Sequence, residues 1–229
     1  MASLPVHLAE IRARLSAAAA RSGRAPEAVT LVAVVKTLSP EWVAEAVRLG
    51  ITDLGENRVQ EAQAHQQMVP RNAARWHMIG HLQRNKAGKV PGLFDLVHSV
   101  DDLELAAGIA RRACDAGRIL PVLIEVNVSG EASKFGVEPK ALPNLLEGMA
   151  AISGIELRGL MTVPAAVDRP EDARAGFATL RRLRDEGQNR IGRMLPDLSM
   201  GMSGDYEVAV EEGATLVRVG STLFGARQP

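Results

Sequence analysis

Cysteine is almost missing from this 229-residue chain: Cys114 stands alone. That excludes an internal disulfide and leaves no thiolate set for a structural zinc site. Cys114 follows Arg111-Arg112-Ala113 in a helical pattern and is expected as a small buried side chain. Aromatic residues make up only 3% of the chain, which leaves little to stack on bases. Neither sign of charge is in excess, with 27 Lys+Arg against 27 Asp+Glu, so the basic footprint of a nucleic-acid binder is missing. No apolar run approaches the roughly 20 residues of a membrane span. Glu10, Arg12 and Arg14 break up the N-terminal pattern, which is wrong for a secretory signal. These absences predict a cytoplasmic protein with no nucleic-acid partner and no membrane segment.

What is present is alternation. Leu4, Leu8, Ile11 and Leu15 repeat at helical spacing, an alanine run continues to Ala20, and Ser22-Gly23 reads as the stop. Strand-like runs follow at residues 31–35, 52–54, 76–79, 94–98, 122–128, 155–161, 197–200 and 215–219. Helical segments separate them. Gly50, Gly117, Gly187 and Gly213 read as their C-terminal glycines, and Pro139 and Pro170 as helix starts. Strands that each feed a helix predict a parallel sheet with right-handed crossovers. Closure of eight such units gives a (β/α)8 barrel, preceded by one extra helix within residues 1–24. The competitor is an open doubly wound sheet, which would carry a glycine-rich phosphate loop after its first strand. Lys36-Thr37-Leu38-Ser39 stands there instead. No linker divides residues 1–229, and one domain is expected.

In such a barrel the chemistry gathers at the C-terminal ends of the strands. The first strand ends at Lys36, the second at Gly55-Glu56-Asn57, the third at Gly80-His81 and the fifth near Asn127. After the seventh, "MSGDYE" puts Ser203 and Gly204 at the start of a short helix. After the eighth, "RVGST" puts Gly220, Ser221 and Thr222 in the turn. Amides at helix starts and in glycine turns bind phosphate, and hydroxyls add donors. Taken singly, Gly204 and Gly220 are equally well explained as tight turns and Ser203 as an N-cap. Together, in the loops where this fold habitually holds phosphate, they favour an anion.

Lys36 ends an apolar, β-branched run, "LVAVV". An isolated lysine there would be read as one whose stem lies on apolar surface while its ammonium reaches water. Partly withdrawn from water and opposite a phosphate site, it reads instead as a nucleophilic amine. A phosphorylated carbonyl compound captured as a Schiff base matches both ends, and pyridoxal 5'-phosphate (PLP) is such a compound.

The blocks "VAVVKT", "GENRVQE", "WHMIGHLQRNK", "SKFGV", "RGLMTVPA" and "LSMGMSGDYEVAVEEGATLVRVGSTLFGAR" together resemble the YggS/PROSC pyridoxal phosphate homeostasis proteins. The resemblance runs from Leu31 to Arg227. It implies a barrel related to that of alanine racemase, with PLP held as a Schiff base on Lys36. It also implies that Ser203, Gly204, Gly220 and Ser221 surround the phosphate, and that Asn57 lies near the ring. Family members often carry threonine where this chain has Ser221. Arg218 matches the arginine that faces the pyridine nitrogen. A guanidinium cannot take up the ring proton, so the ring would be a poor electron sink. The competing role for Arg218 is an ion pair with a carboxylate such as Glu211. Met202 could pad the ring face, whereas Met200 reads as core.

Other residues have plainer readings. His77 is expected as a satisfied wall residue, His81 is ambiguous, and nothing spaces the histidines as metal ligands. Arg84, Lys86 and Lys89 read as the wet face of the third helix. Arg181, Arg182 and Arg184 read the same way opposite Leu180 and Leu183. Lys134 either offers a second amine at the barrel mouth or is simply solvated.

Three activities compete for the same pocket. The first is a PLP carrier that maintains the cofactor's free level without turnover, as a monomer that could serve PLP-dependent apoenzymes. The second is an amino-acid racemase, which needs a second acid/base on the opposite face of the substrate. In alanine racemase a tyrosine from an added β-domain of the partner subunit supplies it. The chain stops at Pro229 with no room expected for that domain, and its single tyrosine, Tyr206, lies beside the phosphate loop. The third is an aldolase using Lys36 on a sugar phosphate, which would bind no coloured cofactor.

Overall fold

The computed structural model describes residues 4–131 and 133–225. Residues 1–3 of the expected first helix, and residues 226 and 227 of the closing block, lie outside that range. Helix α1 (Leu4–Arg21) leads into eight strands: β1 (Thr30–Val34), β2 (Asp53–Glu56), β3 (Arg75–Met78), β4 (Leu96–Val100), β5 (Leu120–Glu125), β6 (Ile155–Met161), β7 (Asp197–Met202) and β8 (Leu216–Val219). They pair in chain order, all parallel, and β8 returns to β1, so the sheet is a closed barrel. Between them run α2 (Pro40–Arg48), α3 (Val59–His65), α4 (Val90–Leu93), α5 (Leu103–Asp115), α6 (Leu142–Ala150), α7 (Arg174–Ile191) and α8 (Tyr206–Glu211). The four-residue α9 (Ser221–Phe224) follows β8.

Strand alternation divides each strand between two environments. Outward residues such as Ala33, Val35, Leu54, Trp76, Val97, Ile124, Leu198 and Val217 join the helices in one large apolar shell. Inward residues Val32, Leu96, Leu123, Met161 and Leu216 form a separate plug. Two residues further along their strands, on the same face, come His98, Glu125 and Arg218, all buried. The interior is therefore apolar at one level and polar one pleat closer to the strands' C-terminal ends.

Helix α1 lies outside this ring. Its buried stripe is Leu4, Leu8, Ile11, Leu15, Ala18 and Ala19, packed on α8 and α9. Each fully buried leucine of this stripe is worth about 1.5–3 kcal/mol. Arg14 pairs with Glu207, Arg21 Nε sits 2.7 Å from Glu211 Oε1, and Arg24 Nη1 donates to the Ala214 carbonyl at 2.8 Å.

Several local expectations are corrected. Gly187 lies inside α7, not at its end. Gly192, in the left-handed region at φ 63°, is the cap. Gly187 is small because a Cβ there would stand 2.8 Å from Leu146 Cδ1 on α6. Pro139 lies in a turn, and α6 begins at Leu142 with Pro143 in its first turn. Residues 84–89 form a 3-10 stretch in which Arg84 pairs with Asp102 and Glu104. Cys114 is exposed, because the buried face of α5 is carried by Leu105, Ala106, Ile109, Ala110 and Ala113. Among the described residues no helix is long and apolar enough to cross a membrane.

Gly159 is the tightest point of the barrel wall. It pairs with Asp197 across β6 and β7, and a Cβ on it would stand 1.8 Å from the Asp197 carbonyl oxygen. Gly159→Ala is expected to cost about 3 kcal/mol or more, read as a lower midpoint in equilibrium urea unfolding.

Candidate cofactor site

Lys36 stands two residues beyond β1. Residues 32 and 36 share a parity, so the alternation that turns Val32 into the barrel and Val35 out of it assigns Lys36 the inner face. The chain then turns at once: Leu38 N–H donates to the Val35 carbonyl at 3.1 Å. Thr37 adopts φ 65°, the one positive-φ residue other than glycine among those described. A β-branched residue in that region is strained by about 1 kcal/mol or more. It is the third residue of a type II-like turn, where glycine would be relaxed. Pro40 opens α2 behind it. Ser39 makes no capping bond, its side chain bonding to Glu41 instead.

Next to this turn, since β8 pairs with β1, the loops after β7 and β8 are stitched together. Ser203 Oγ accepts the N–H of Gly220 at 3.2 Å and that of Thr222 at 3.4 Å, and Thr222 Oγ1 donates to the Ser203 carbonyl at 3.2 Å. Amides from both sides of Ser221 thus converge on one oxygen, the way an anion's oxygen is gripped. Gly204 and Ser221 are exposed beside it, Met202 is half-buried and Gly220 is buried. A Cβ on Gly204 would meet nothing within 4 Å, which leaves the approach open. Asp205 Oδ1 accepts the Met202 N–H at 2.6 Å and so holds the loop shut.

Arg218 sits between these features inside the barrel, at the same register as Val32 of β1. Nη1 donates to Ser199 Oγ at 2.5 Å and Nη2 to the Thr162 carbonyl at 2.8 Å. Burial lowers its pKa to about 10, against the pull of Glu125 and Asp205. It is still a cation at neutral pH. The pairing with Glu211 does not form: that carboxylate is held by Arg21 and Arg174 at the barrel's outside.

Asn57 follows β2 and is half-buried. Gly80, after β3, touches its backbone so closely that a Cβ would lie 2.5 Å from the Asn57 carbonyl oxygen. His81 stacks on Phe135, centroids 3.9 Å apart. Lys134 is not a solvated amine: Nζ donates to the Pro164 carbonyl at 2.7 Å and lies 3.0 Å from Glu131 Oε1. Tyr206 is buried in the outer shell, its ring 5.3 Å from the Arg14 guanidinium.

Sequence reading missed Glu125, Ser199 and His98 as interior polar groups. The signal was there, since each shares parity with an inward apolar residue of its own strand or is paired to one. Glu125 Oε2 is buried without a hydrogen-bond partner. Burial pushes its carboxyl from 4.5 to about 7, Asp101 adds to the rise, and Arg218 opposes it.

The description "Alanine racemase, N-terminal domain" fits residues 6–228. The pyridoxal phosphate homeostasis protein of Aquifex aeolicus is 43% identical, the alignment covering 96% of this chain and 97% of that one. The protein of the same name from Pseudomonas aeruginosa is 41% identical over 99% and 97%. PipY of Synechococcus elongatus, solved with PLP bound, superposes with a TM-score of 0.86 at 35% identity, over 97% of this chain and 100% of that one. Alanine racemase of Clostridium difficile shares the fold at 15% identity, with a TM-score of 0.76 over 100% of this chain and 58% of that one.

A folded-state pKa above the unfolded value means that Glu125 contributes most to stability below about pH 4.5 and that this is lost as pH rises toward 7. Glu125→Gln removes that loss. The variant should gain on the wild type by up to about 3 kcal/mol between pH 4 and pH 8, measured as the difference in unfolding free energy at each pH.

Proposed function

This chain belongs to the alanine racemase N-terminal domain family, and on that premise we propose that it is a PLP-binding protein of cofactor homeostasis that turns over no substrate. The observation that carries the reading is one end of one barrel. An anion cradle built on Ser203 Oγ, a buried guanidinium and an inward lysine register meet there. A phosphate oxygen would take the place of Ser203 Oγ as acceptor of the converging amides, and a ring nitrogen, which is an acceptor, fits a guanidinium donor.

When bound, PLP supplies an aldehyde for an amine to condense with and a conjugated chromophore. The chain's own residues supply the rest. Ser203, Gly204, Gly220 and Ser221 hold the phosphate. Lys36 offers the amine from a turn stiffened by Thr37. Arg218 keeps a donor facing the ring nitrogen, so no acid there protonates it and carbanion chemistry is not favoured. Asn57 and Met202 border the ring. The protein acts on this reading as a cytoplasmic monomer and passes PLP to apoenzymes.

A racemase needs a second proton-transferring group across the substrate carbon from Lys36. Tyr206 is buried on the outer side of α8 with its ring against Arg14, which supports the carrier over the racemase.

Purified protein given PLP is expected to gain a near-violet absorbance band that Lys36→Ala lacks. A wild type that stays colourless refutes the assignment. With L- or D-alanine added, chiral chromatography should show no interconversion; steady turnover would restore the racemase.

A further inference from the structure

A file of polar side chains runs through the barrel beneath Arg218, and holding a phosphate or an aldehyde requires none of it. Ser199 Oγ lies 2.8 Å from His98 Nδ1, and His98 Nε2 lies 3.0 Å from His77 Nδ1. His77 Nε2 lies 2.9 Å from Asp53 Oδ1. All four residues are buried. Asp53 begins β2, at the opposite end of the barrel from Lys36. There its carboxylate also takes a bond from Arg75 Nη2 at 3.0 Å and one from Thr52 Oγ1 at 2.7 Å.

The direction of this file follows from what its ends can do. Burial alone would raise the Asp53 carboxyl, but the bonds from His77, Arg75 and Thr52 outweigh it and hold it below the usual carboxylate range. An ionised carboxylate only accepts, so the proton between Asp53 and His77 belongs to His77 Nε2. In the polarity that this sets up, His77 Nδ1 accepts and His98 Nε2 donates to it. Burial, with His77 and Arg218 beside it, pushes His98 well below its ordinary value, which favours a single proton on this ring. His98 Nδ1 is then an acceptor, and the Ser199 hydroxyl must donate to it. That leaves the serine oxygen's lone pairs for Arg218 Nη1, which can only donate. Guanidinium at one end and carboxylate at the other favour this polarity over its reverse, and each bond strengthens the next.

We propose that Asp53, His77, His98 and Ser199 are positioning residues, a one-way hydrogen-bond chain that holds the Arg218 guanidinium in the orientation in which it meets the cofactor ring. The proposal rests on the PLP reading for the ring and on this chain's own residues for the rest. Reversal would put an N–H from His98 and an N–H from Arg218 on the same serine oxygen and leave the hydroxyl proton to find another acceptor. That penalty is what fixes the guanidinium.

The first measurement needs no cofactor. Nitrogen-15 spectra of the two rings in cofactor-free protein at neutral pH should show His77 and His98 both protonated on Nε2 alone. Finding His98 protonated on Nδ1, or on both nitrogens, overturns the chain. The second measurement uses PLP. Ser199→Ala should weaken PLP binding about tenfold and shift the near-violet band. Asp53→Asn should weaken it about threefold where Ser199 is present and have no further effect in the Ser199→Ala background, because its influence passes through that serine. Unchanged binding in Ser199→Ala, or effects that multiply in the double variant, overturns the proposal. A wild type that binds no PLP defeats the carrier reading, while the ring spectra still decide the chain.

Discussion

A guanidinium inside a barrel is the constraint around which the rest is arranged. Arg218 is 4% exposed, and an unpaired cation at that depth would cost several kcal/mol. It is tolerated because Ser199 and the Thr162 carbonyl take its N–H groups and because Glu125 and Asp205 supply negative charge nearby. Each of those groups is in turn constrained. Ser199 is bonded to His98, and Glu125 is held partly protonated near neutrality by the same burial. The apolar plug of Val32, Leu96, Leu123, Met161 and Leu216 keeps this region dry enough for such couplings to matter.

Around that centre the strands distribute tasks by parity. Outward residues bind the helices and carry most of the burial. Inward residues divide between the apolar plug and a polar file that ends at Arg218. The junction of the β7 and β8 loops is built from little: one serine hydroxyl, two amides and two glycine turns. Its stiffness comes from the Asp205 carboxylate, which closes the β7 loop on the Met202 amide.

Much of this was legible in the chain. The boundaries of β6 were read without error: Gly154 stands before a stretch in which Ile155, Leu157, Leu160 and Met161 carry the strand pattern. The places of Lys36, Ser203 and Gly220 just beyond the ends of their strands were legible because an apolar run or local turn chemistry marks them. Cys114 and Gly187 were misread because burial on α5 and spacing between α6 and α7 depend on which helix face meets a neighbour, and no local signal fixes that. The fourth strand was placed two residues early at both ends, so His98 looked like a strand end and not an interior group. Its partners, His77 and Ser199, come from strands 21 and 101 residues away. Only closure of the sheet brings them together.

Helix α1 carries a consequence for how the protein is made. The helix reaches from the chain's first turn to its last: His7 Nδ1 bonds with the Leu223 carbonyl at 3.0 Å, 216 positions away. Its apolar stripe therefore has no complete surface to dock on until α8 and α9 have been synthesised. Contacts of such long sequence separation form late and slow the folding rate. During translation the amphipathic opening segment would stay exposed for the whole transit of the ribosome, a natural client for a chaperone. Closure of the β7 and β8 loops and docking of α1 would then coincide.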